Sequence, residues 1–457
     1  MERKKIVLIG AGSAVFTKGL IADFIQSGFG SWEIALCDIN PTILDSVAKL
    51  AKKMVEQKKA DIKITSSPNR KDLLPGADYV VVTIAVGGRR AWEQDVIIPR
   101  KYGIFQPVGD SIMPGGISRA QRMIPAMIEI AEDVEKYCPN AYFFSYSNPM
   151  TAIVSAVRRA ANVELIGLCH GVIYGEKYIA RMLDVDVNRI TTIGAGLNHL
   201  TFLYDIRVDG KDVKPDLLNL IKKQKEEAKK KGGHKYNFFN PLLEDKEIPN
   251  HLDNPFSWEL FERYGGLPAV VDRHAVEFFP ERFVEGKYYG HQLGIDAFPI
   301  EEVIARGEKV YEDILNHGEG NEEVGAELFN RVDGEHEELV EMIKSILLDE
   351  RKAFSVNIPN EGAVSGLPDD AVLEIPGIAT AQGFCPMKLR GFSNEMKGII
   401  ARRLASVDLT VQAALTGNRK LWEEALLLDG AVTDYQVAEN LVNDFIAEHG
   451  EYLPQYK

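Results

Sequence analysis

The stretch KKIVLIGAGSAVFTKGLIADF, residues 4–24, decides the fold. Its first part, KKIVLIG (4–10), is rich in β-branched and aliphatic residues, which favours a buried strand. Gly10 and Gly12 follow directly, and a helix is expected to open near Ser13. Glycines in that position permit a tight turn and let backbone N–H groups approach a pyrophosphate, which the positive end of the helix also attracts. This order of elements predicts a dinucleotide-binding fold.

A carboxylate at the end of the next predicted strand supports the same interpretation. The segment EIALCDI (33–39) is predicted as that strand, and it ends at Asp38, where a carboxylate can bind both ribose hydroxyls of an adenosine. The same charge would repel a 2′-phosphate, so the sequence favours NAD over NADP. Val15 replaces the third glycine of the usual fingerprint. A glycine-rich turn in a sheet protein without a cofactor therefore stays open as the alternative.

Strand and helix patterns continue to alternate along the first part of the chain. Further strands are predicted at DIKITSS (61–67), DYVVVTIAV (78–86), AYFFSYS (141–147) and ELIGLCH (164–170). Amphipathic helical patterns separate most of them. Because alternating strands and helices form right-handed crossovers, the pattern predicts an α/β fold with a Rossmann-type, doubly wound parallel sheet.

The pattern changes close to residue 195. The segment GAGLNHLTFLYDIRVDG (194–210) is typical of antiparallel strands, and helices with long polar connections follow it. We therefore predict an NAD-binding Rossmann-like domain over residues 1–195. Residues 196–457 are predicted to form a C-terminal α+β domain that carries the substrate and metal site and the subunit contacts. Helical material beyond residue 390 suits either a subunit interface or the core, and a homodimer or homotetramer is expected.

Composition limits the classes of function. The chain has 457 residues, 45% of them hydrophobic, and a formal net charge of −14, which argues against nucleic acid or an anionic membrane as partner. Its four cysteines lie far apart with no CxxC pair, so neither a zinc knuckle nor a disulfide framework is indicated. No apolar stretch approaches the roughly 20 residues that span a bilayer, and no signal peptide is expected. A reducing, cytoplasmic location fits best.

Polar side chains follow several of the predicted strands. Ligands of an open parallel sheet bind beyond the carboxyl ends of its strands, so these side chains are candidates for substrate binding. They are Arg89, Arg90, Asp110, Arg122 and Asn148. Loop arginines are more often solvated or paired with acids, and an Asn-Pro pair is a common turn, so these alternatives stay open.

A thiol and an imidazole stand at two further element ends. Cys169 and His170 follow the strand ELIGL, and His199 follows RITTIGAGLN. Thiolate and imidazole both bind Mn²⁺, Fe²⁺, Co²⁺, Ni²⁺ or Zn²⁺, and two protein ligands would leave positions open for substrate oxygens. The spacing of Cys169 and His199 matches no short zinc pattern, so a buried cysteine with a purely apolar role is the alternative.

The segment YGGLPAVVDRHAVEFFP (264–280) holds a carboxylate among apolar residues. Burial would raise the pKa of Asp272 unless Arg273 offsets it, and a carboxylate tuned in this way can remove a proton. The alternative is structural: Asp272 and Arg273 would cap a helix that begins at about Arg273.

Taken in order, several motifs together resemble the family 4 glycoside hydrolases. They are GAGS, LCDI, RRAWEQD, GDSIMPGGISRAQR, SYSNPM, GLCHGV, GLNHL, LPAVVDRH and VNIPNEGAVSGLPDDAVLEIP (356–376). The resemblance covers nearly the whole chain and implies a fold related to the lactate and malate dehydrogenases. It also implies a glycosidase that uses bound NAD⁺ and a divalent metal, generally Mn²⁺, in place of the two-carboxylate displacement.

The implied reaction oxidises the C3 hydroxyl of the sugar, and the resulting ketone acidifies the proton on C2. A base removes that proton, the C1 substituent leaves, water adds, and C3 is reduced again. The resemblance implies Cys169 and His199 as metal ligands and Asn148 as a contact to substrate hydroxyls. Asp272 is implied as the base, at a position where some members have tyrosine. An NAD-dependent hydroxy-acid dehydrogenase is the rival that the first domain alone allows.

The residues after Cys169 differ among subgroups of the family. Cys169-His170-Gly171 resembles the α-glucuronidases, which favours an unphosphorylated α-uronide as substrate. α-Galacturonidase, α-glucosidase and α-galactosidase stay open. Asp110 and His170 are implied as groups that assist the leaving oxygen. A uronate carboxylate would need a cation, for which the candidates are Arg89, Arg90 and Arg122.

Overall fold

A computed structural model describes residues 2–13, 16–231, 234–236, 246–248, 254–320, 324–325, 329 and 337–457. Val15, where the sequence lacks the third glycine, lies outside the described residues. The strands of the first half are β1 (Lys4–Ile9), β2 (Trp32–Cys37), β3 (Ile62–Ser67), β4 (Tyr79–Val82), β5 (Tyr142–Ser145) and β6 (Leu165–Gly167). All are parallel and lie in the order β3-β2-β1-β4-β5-β6, which is that of dinucleotide-binding sheets. The predicted Rossmann-type sheet is confirmed.

Helices cover both faces of this sheet. They are α1 (Phe16–Ser27), α2 (Pro41–Lys58), α3 (Gly88–Arg100), α4 (Met113–Tyr137), α5 (Met150–Ala160) and α6 (Gly171–Leu183). Helix α2 shows why they begin where they do: the Asn40 side chain accepts hydrogen bonds from the N–H groups of Thr42 and Ile43, and Pro41 occupies the first turn. Apolar residues of β1, β2 and β4 are buried on both faces, as a doubly wound sheet requires.

The second half of the chain extends the same sheet with antiparallel strands. The strands that extend it are β7 (Ile190–Leu197), β8 (Leu200–Val208), β9 (Lys211–Asp212), β12 (Leu267–Pro268), β15 (Ala353–Pro359), β16 (Val372–Thr380) and β17 (Gly383–Pro386). The order β6-β15-β16-β7-β8-β12 joins them to the parallel half. Two separate antiparallel pairs are formed by β10 (His234–Tyr236) with β11 (Lys246–Ile248) and by β13 (Lys287–Tyr288) with β14 (His291–Gln292). Residue 195 falls inside β7, so the sheet itself marks no boundary there, and the two-domain division stays a prediction.

The helices of the second half are α7 (Lys214–Lys231), α8 (Pro255–Tyr264), α9 (Val271–Ala275), α10 (Ile300–Glu319), α11 (Glu337–Leu348), α12 (Asn394–Thr416), α13 (Arg419–Asp429) and α14 (Tyr435–His449). Helix α12 packs against α4 and α5 and contributes Val411 and Ala414 to the core beneath the parallel strands. The helical material beyond residue 390 therefore completes the core. Within the described residues, no helix is both long and apolar enough to cross a bilayer.

A buried carboxyl group lies in the middle of the antiparallel part. Glu374 on β16 is 1% exposed and is flanked by Gly196 of β7 and Asn357 of β15. Its Oε2 accepts a hydrogen bond of 2.6 Å from the Thr201 hydroxyl. Burial raises the pKa of Glu374 to about 7, although the bond from Thr201 opposes the shift. The folded state therefore keeps a proton that the unfolded chain loses above its ordinary pKa.

Replacing this carboxyl group is expected to change how stability depends on pH. Because the folded pKa lies above the unfolded one, Glu374 lowers the free energy of unfolding as pH rises from about 4.5 to about 7. Glu374→Gln is expected to remove this pH-dependent loss. Relative to wild type, the free energy of unfolding of the variant should rise by up to roughly 3 kcal/mol between about pH 4 and about pH 8. Urea unfolding of both proteins at the two pH values measures it, with the exposed Glu424→Gln as control. Identical pH profiles for Glu374→Gln and wild type would contradict the expectation.

Candidate active site

The glycine loop and Asp38 lie together at the carboxyl end of β1 and β2. Gly10 has a φ of +89°, and a Cβ there would lie 2.9 Å from the backbone nitrogen of Ile84. The N–H of Gly12 donates to Asp38 Oδ2 at 2.7 Å, and a Cβ on Gly12 would lie 2.8 Å from that oxygen. The Ser13 hydroxyl accepts a hydrogen bond from the first residue of α1. The loop is a backbone cradle that only glycines fit, as pyrophosphate binding requires.

Four of the predicted residues converge beyond the ends of β5 and β6. The Asn148 amide donates to Asp110 Oδ2 at 3.2 Å, and Asp110 Oδ1 lies 3.4 Å from His199 Nδ1. The Cys169 thiol accepts a hydrogen bond from the N–H of Gly171 at 3.4 Å and lies near enough to His199 to raise the pKa of that imidazole. Since the loop before α4, the ends of β5 and β6, and the β7–β8 turn each supply one side chain, the sheet edge brings together residues that are distant in sequence.

The turn between β7 and β8 fixes His199. The turn has only two residues, Asn198 and His199, and His199 adopts a left-handed backbone conformation with φ +68°. That conformation is uncommon for a residue with a side chain and persists here because paired strands hold both ends of the turn. The Ser111 hydroxyl lies 2.8 Å from His199 Nδ1. The imidazole is thus buried and held beside Asp110.

His274 joins this cluster, which sequence reasoning missed. Its ring centroid lies 4.1 Å from that of His199, and ligand atoms of Asp110, His199 and His274 all lie within 4.8 Å of one another. His274 stands two residues after Asp272 on α9, within the segment that drew attention in the sequence. No spacing rule connects positions 110, 199 and 274, so only the fold could reveal the set.

The chemistry of this cluster fits a divalent transition metal. Imidazole nitrogen, carboxylate oxygen and the nearby thiol are ligands that such metals accept. Among the described residues, His274 Nδ1 and Asn148 Oδ1 are buried without a hydrogen-bond partner. A buried polar atom of that kind costs free energy unless a ligand satisfies it. The residues present therefore fit a cation held by His199, His274 and Asp110, with Cys169 beside His199.

The electrostatics of Asp110 depend on its contact with His199. Burial alone would raise the pKa of Asp110, but the charge and hydrogen bond of His199 hold it well below its ordinary range. Burial alone would lower the pKa of His199. The charge and hydrogen bond of Asp110 outweigh that effect, so the pKa of His199 lies well above its usual value. An ionised carboxylate accepts a proton or a cation and has no proton to give. An ionised Asp110 is thus suited to hold a cation, and its part in assisting the leaving oxygen stays a prediction.

The Asp272 carboxylate is engaged with the start of helix α8. It is 0% exposed and accepts hydrogen bonds from the N–H groups of Phe256 and Ser257, the Ser257 hydroxyl and the Tyr288 hydroxyl, at 2.6 to 2.9 Å. Phe256 and Ser257 open helix α8, so Asp272 caps that helix from α9. Burial raises its pKa, although these hydrogen bonds oppose the shift. These contacts fit the structural alternative, although for a different helix from the one expected, and the role of Asp272 as base stays a prediction.

The three arginines predicted to clamp a uronate lie away from the cluster. Arg122 is 1% exposed and forms a bidentate pair with Asp95, one bond of which measures 2.8 Å. Arg90 is on the surface, paired with Glu93 and Glu308. Arg89 packs against Gly307 and Tyr311 of α10. Each guanidinium has partners outside the cluster, and their contact with a substrate carboxylate stays a prediction.

Two other arginines stand beside the cluster instead. Arg119 Nε donates to the backbone oxygen of Asn148 at 3.1 Å. Arg273 has no hydrogen bond or ion pair with any described residue, and its Nε is buried. Burial lowers the pKa of both arginines, and the charge of Asp110 raises it, so each guanidinium lies close enough to Asp110 for their charges to interact. Arg273 is a half-buried cation that makes no direct hydrogen bond or ion pair among the described residues, although the charges of Asp110 and Glu277 act on it.

His170 lies beside Cys169 at the start of α6. Its ring stacks on Tyr146 and Phe16, with ring centroids 5.6 and 5.8 Å apart. The aromatic rings fix the plane of the imidazole. Its predicted part in leaving-group chemistry stays a prediction.

Comparisons with known proteins agree over the whole chain. The model of the family 4 glycosyl hydrolases matches residues 5–185, and that of the family 4 glycosyl hydrolase C-terminal domain matches residues 194–432. An α-galactosidase of Bacillus subtilis (strain 168) is 29% identical over 99% of this chain and 100% of its own. An α-glucosidase of Erwinia rhapontici is 30% identical over 99% of each chain. An α-galacturonidase of Thermoanaerobacterium saccharolyticum is 28% identical over 99% of this chain and 97% of its own.

Solved structures agree as well. A crystal structure of a 6-phospho-α-glucosidase from gut microorganisms, in complex with NAD and glucose-6-phosphate, superposes with a TM-score of 0.83 at 25% identity and covers 100% of both chains. Malate dehydrogenase of Cryptosporidium parvum shares the fold alone, with a TM-score of 0.52 at 14% identity over 90% of this chain and 99% of its own. The predicted likeness to dehydrogenases is thus confirmed for the fold. Because the two family models span nearly all of the sequence, the chain belongs to the family 4 glycosyl hydrolases.

Proposed function

We propose that this enzyme is an α-glucuronidase, which hydrolyses unphosphorylated α-glucuronides with NAD⁺ and Mn²⁺ as cofactors. The observation that carries the choice of a uronide is Arg273, a half-buried guanidinium near the cation cluster that makes no direct hydrogen bond or ion pair with a described residue. A substrate carboxylate is the group that such a cation binds most strongly, through charge-assisted hydrogen bonds. The α-galacturonidase among the relatives supports a uronide in this family, and the 6-phospho-α-glucosidase structure contains NAD.

The residues proposed to bind the nucleotide lie at the carboxyl ends of β1 and β2, and those proposed to bind the cation lie beyond the ends of β5 and β6. Backbone N–H groups of the Gly10–Gly12 loop would hold the pyrophosphate, and Asp38 the adenosine ribose. His199, His274 and Asp110 would hold the cation, with Cys169 as a further ligand. Bound NAD⁺ would supply a hydride acceptor for the sugar, and bound Mn²⁺ a positive charge beside its oxygen atoms.

The protein groups around the cation orient the sugar. The Asn148 amide, anchored to Asp110, presents its free Oδ1 to a substrate hydroxyl. Arg273 binds the C6 carboxylate and so fixes which carbons face the cofactor. A neutral glucoside or galactoside lacks that carboxylate and would leave Arg273 unpaired, which costs binding free energy. We propose a cytoplasmic location for the enzyme, since a ligand thiol at Cys169 needs reducing surroundings.

A substrate panel tests the proposal. The p-nitrophenyl α-glycosides of glucuronic acid, galacturonic acid, glucose and galactose are assayed with NAD⁺, Mn²⁺ and a reductant. We expect the α-glucuronide to react fastest, no net NADH, and deuterium at C2 of the sugar released in D₂O. Faster hydrolysis of the α-galacturonide would make the enzyme an α-galacturonidase, which is still a uronidase. Stoichiometric NADH would favour the dehydrogenase, and protium retained at C2 would contradict the mechanism.

Arg273→Ala is expected to remove the preference for uronides. Loss of a charge-assisted pair should raise KM for the α-glucuronide by roughly ten- to a hundredfold and change KM for a neutral glycoside little. Arg273→Lys, which keeps the charge but not the fork, should retain part of the preference. Exposed Arg282→Ala is the matched control. Equal losses on charged and neutral substrates would show that Arg273 does not bind the carboxylate.

A further inference from the structure

Helix α10 belongs to the C-terminal half of the chain but packs against α2 and α3, the helices that follow β2 and β4. Two of its glycines allow a close approach. A Cβ on Gly307 would lie 2.7 Å from Arg89 Cδ, and one on Gly318 would lie 2.7 Å from Ser46 Cβ. The helix therefore spans the two helices that flank the nucleotide end of the sheet.

Tyr311 of α10 connects the two sides of this end. Its hydroxyl lies 3.4 Å from the Nδ2 of Asn40, which follows β2, and the Arg89 guanidinium on α3 lies 5.4 Å from the centre of its ring. Burial and the charge of Asp38 raise the pKa of Tyr311, while Arg89 lowers it. Tyr311 thus stands within reach of both the ribose-binding carboxylate and an arginine.

An exposed apolar side chain completes the surroundings. Ile39 directly follows Asp38 and is 91% exposed, more than any other large hydrophobic residue of the described chain. Aliphatic, phenol and guanidinium groups are the side chains on which an adenine ring packs or stacks. An exposed isoleucine beside a ribose-binding acid is explained if a flat aromatic ligand covers it.

We propose that α10 completes the adenosine site, with Tyr311 and Arg89 contacting the adenine of the bound dinucleotide and Ile39 packing against it. The inference rests on the proposed use of NAD⁺. It gives Arg89 a cofactor-binding role in place of the predicted substrate-binding one. Because residues from both halves of the chain would hold the nucleotide, the cofactor stays bound between turnovers, which suits a reaction that returns it to its starting oxidation state.

Equilibrium binding tests this without reference to activity. NAD⁺, AMP and nicotinamide mononucleotide are titrated separately into wild type, Tyr311→Ala, Tyr311→Phe and Arg89→Ala. We expect Tyr311→Ala and Arg89→Ala to weaken NAD⁺ and AMP alike, by about tenfold, with nicotinamide mononucleotide unchanged. Tyr311→Phe keeps the ring and should bind nearly as wild type. The neighbouring Arg90→Ala, which removes only a surface ion pair, is the matched control.

Two results would overturn the inference. The first is wild-type affinity for NAD⁺ and AMP in both Tyr311→Ala and Arg89→Ala. The second is an equal loss for AMP and nicotinamide mononucleotide, which indicates general damage and no adenine contact. Arg89→Ala carries the test by itself if Tyr311→Ala does not fold. If the wild type binds no NAD⁺, the proposed function fails as well, whereas unchanged variants of an NAD⁺-binding wild type refute only the role of α10.

Discussion

His199→Ala is expected to abolish both Mn²⁺ binding and glycoside hydrolysis while NAD⁺ binding persists. His199 contacts two other members of the cluster, with 3.4 Å from its Nδ1 to Asp110 Oδ1 and 4.1 Å between its ring centre and that of His274. Changes one shell outside a metal cost about ten- to a hundredfold in affinity, so loss of a direct ligand should cost more than about a hundredfold. The glycine loop, which follows β1 and is not part of the cluster, should keep its geometry.

Mn²⁺ and NAD⁺ titrations of the purified variant measure this separation, and hydrolysis of the best p-nitrophenyl substrate measures turnover. Cys169→Ser should behave in the same direction with a smaller loss, because the hydroxyl is a weaker ligand than the thiolate. His317→Ala, an exposed histidine on α10, should match the wild type in both titrations. Wild-type Mn²⁺ affinity in His199→Ala would place the cation elsewhere and remove the basis of the proposed site.

Asp272→Ala is expected to destabilise the fold by on the order of 3 kcal/mol or more, with no direct effect on chemistry. The substitution removes the acceptor for both N–H groups that open α8 and for the hydroxyls of Ser257 and Tyr288. Buried donors without an acceptor cost free energy, and a helix without its cap loses more. Urea unfolding measures the loss, and exposed Asp370→Ala is the control.

The same variant distinguishes a structural carboxylate from a base. A capping role predicts a lower free energy of unfolding and a nearly normal turnover per folded molecule at low temperature. Asp272→Asn should also be destabilised, since its amide would point a donor at other donors. Unchanged stability together with a lost turnover would restore Asp272 as the proton acceptor.

Sequence patterns predicted the parallel half of the fold because its signals are local. The run from Lys4 to Gly12 and the acid at Asp38 lie within single strand–turn–helix units, where side-chain periodicity and glycine geometry act over a few residues. The same logic predicted that Asn148 and Cys169 would meet, since the carboxyl ends of parallel strands share one edge. The family resemblance added His199 as the partner of Cys169.

Contacts that depend on packing between distant segments were not predicted. Arg122 and Asp272 were assigned to substrate and base from their neighbours in sequence, yet Asp95 holds the first and the start of α8 holds the second. In a poorly solvated interior, a charged side chain pairs with the group that the fold places beside it, and that pairing determines its contacts. That partner is invisible to any local pattern.

By itself, the sequence determined the parallel sheet, the nucleotide loop, the acid at Asp38 and the placing of a thiol at the sheet edge. These follow from periodicity, backbone geometry and strand direction, which are properties of short segments. Only the tertiary structure decided that His274 stands beside His199, that Arg273 lies near Asp110, and that α10 packs against Arg89. Those contacts join segments far apart along the chain, and packing of the described C-terminal elements against the parallel half brings them together.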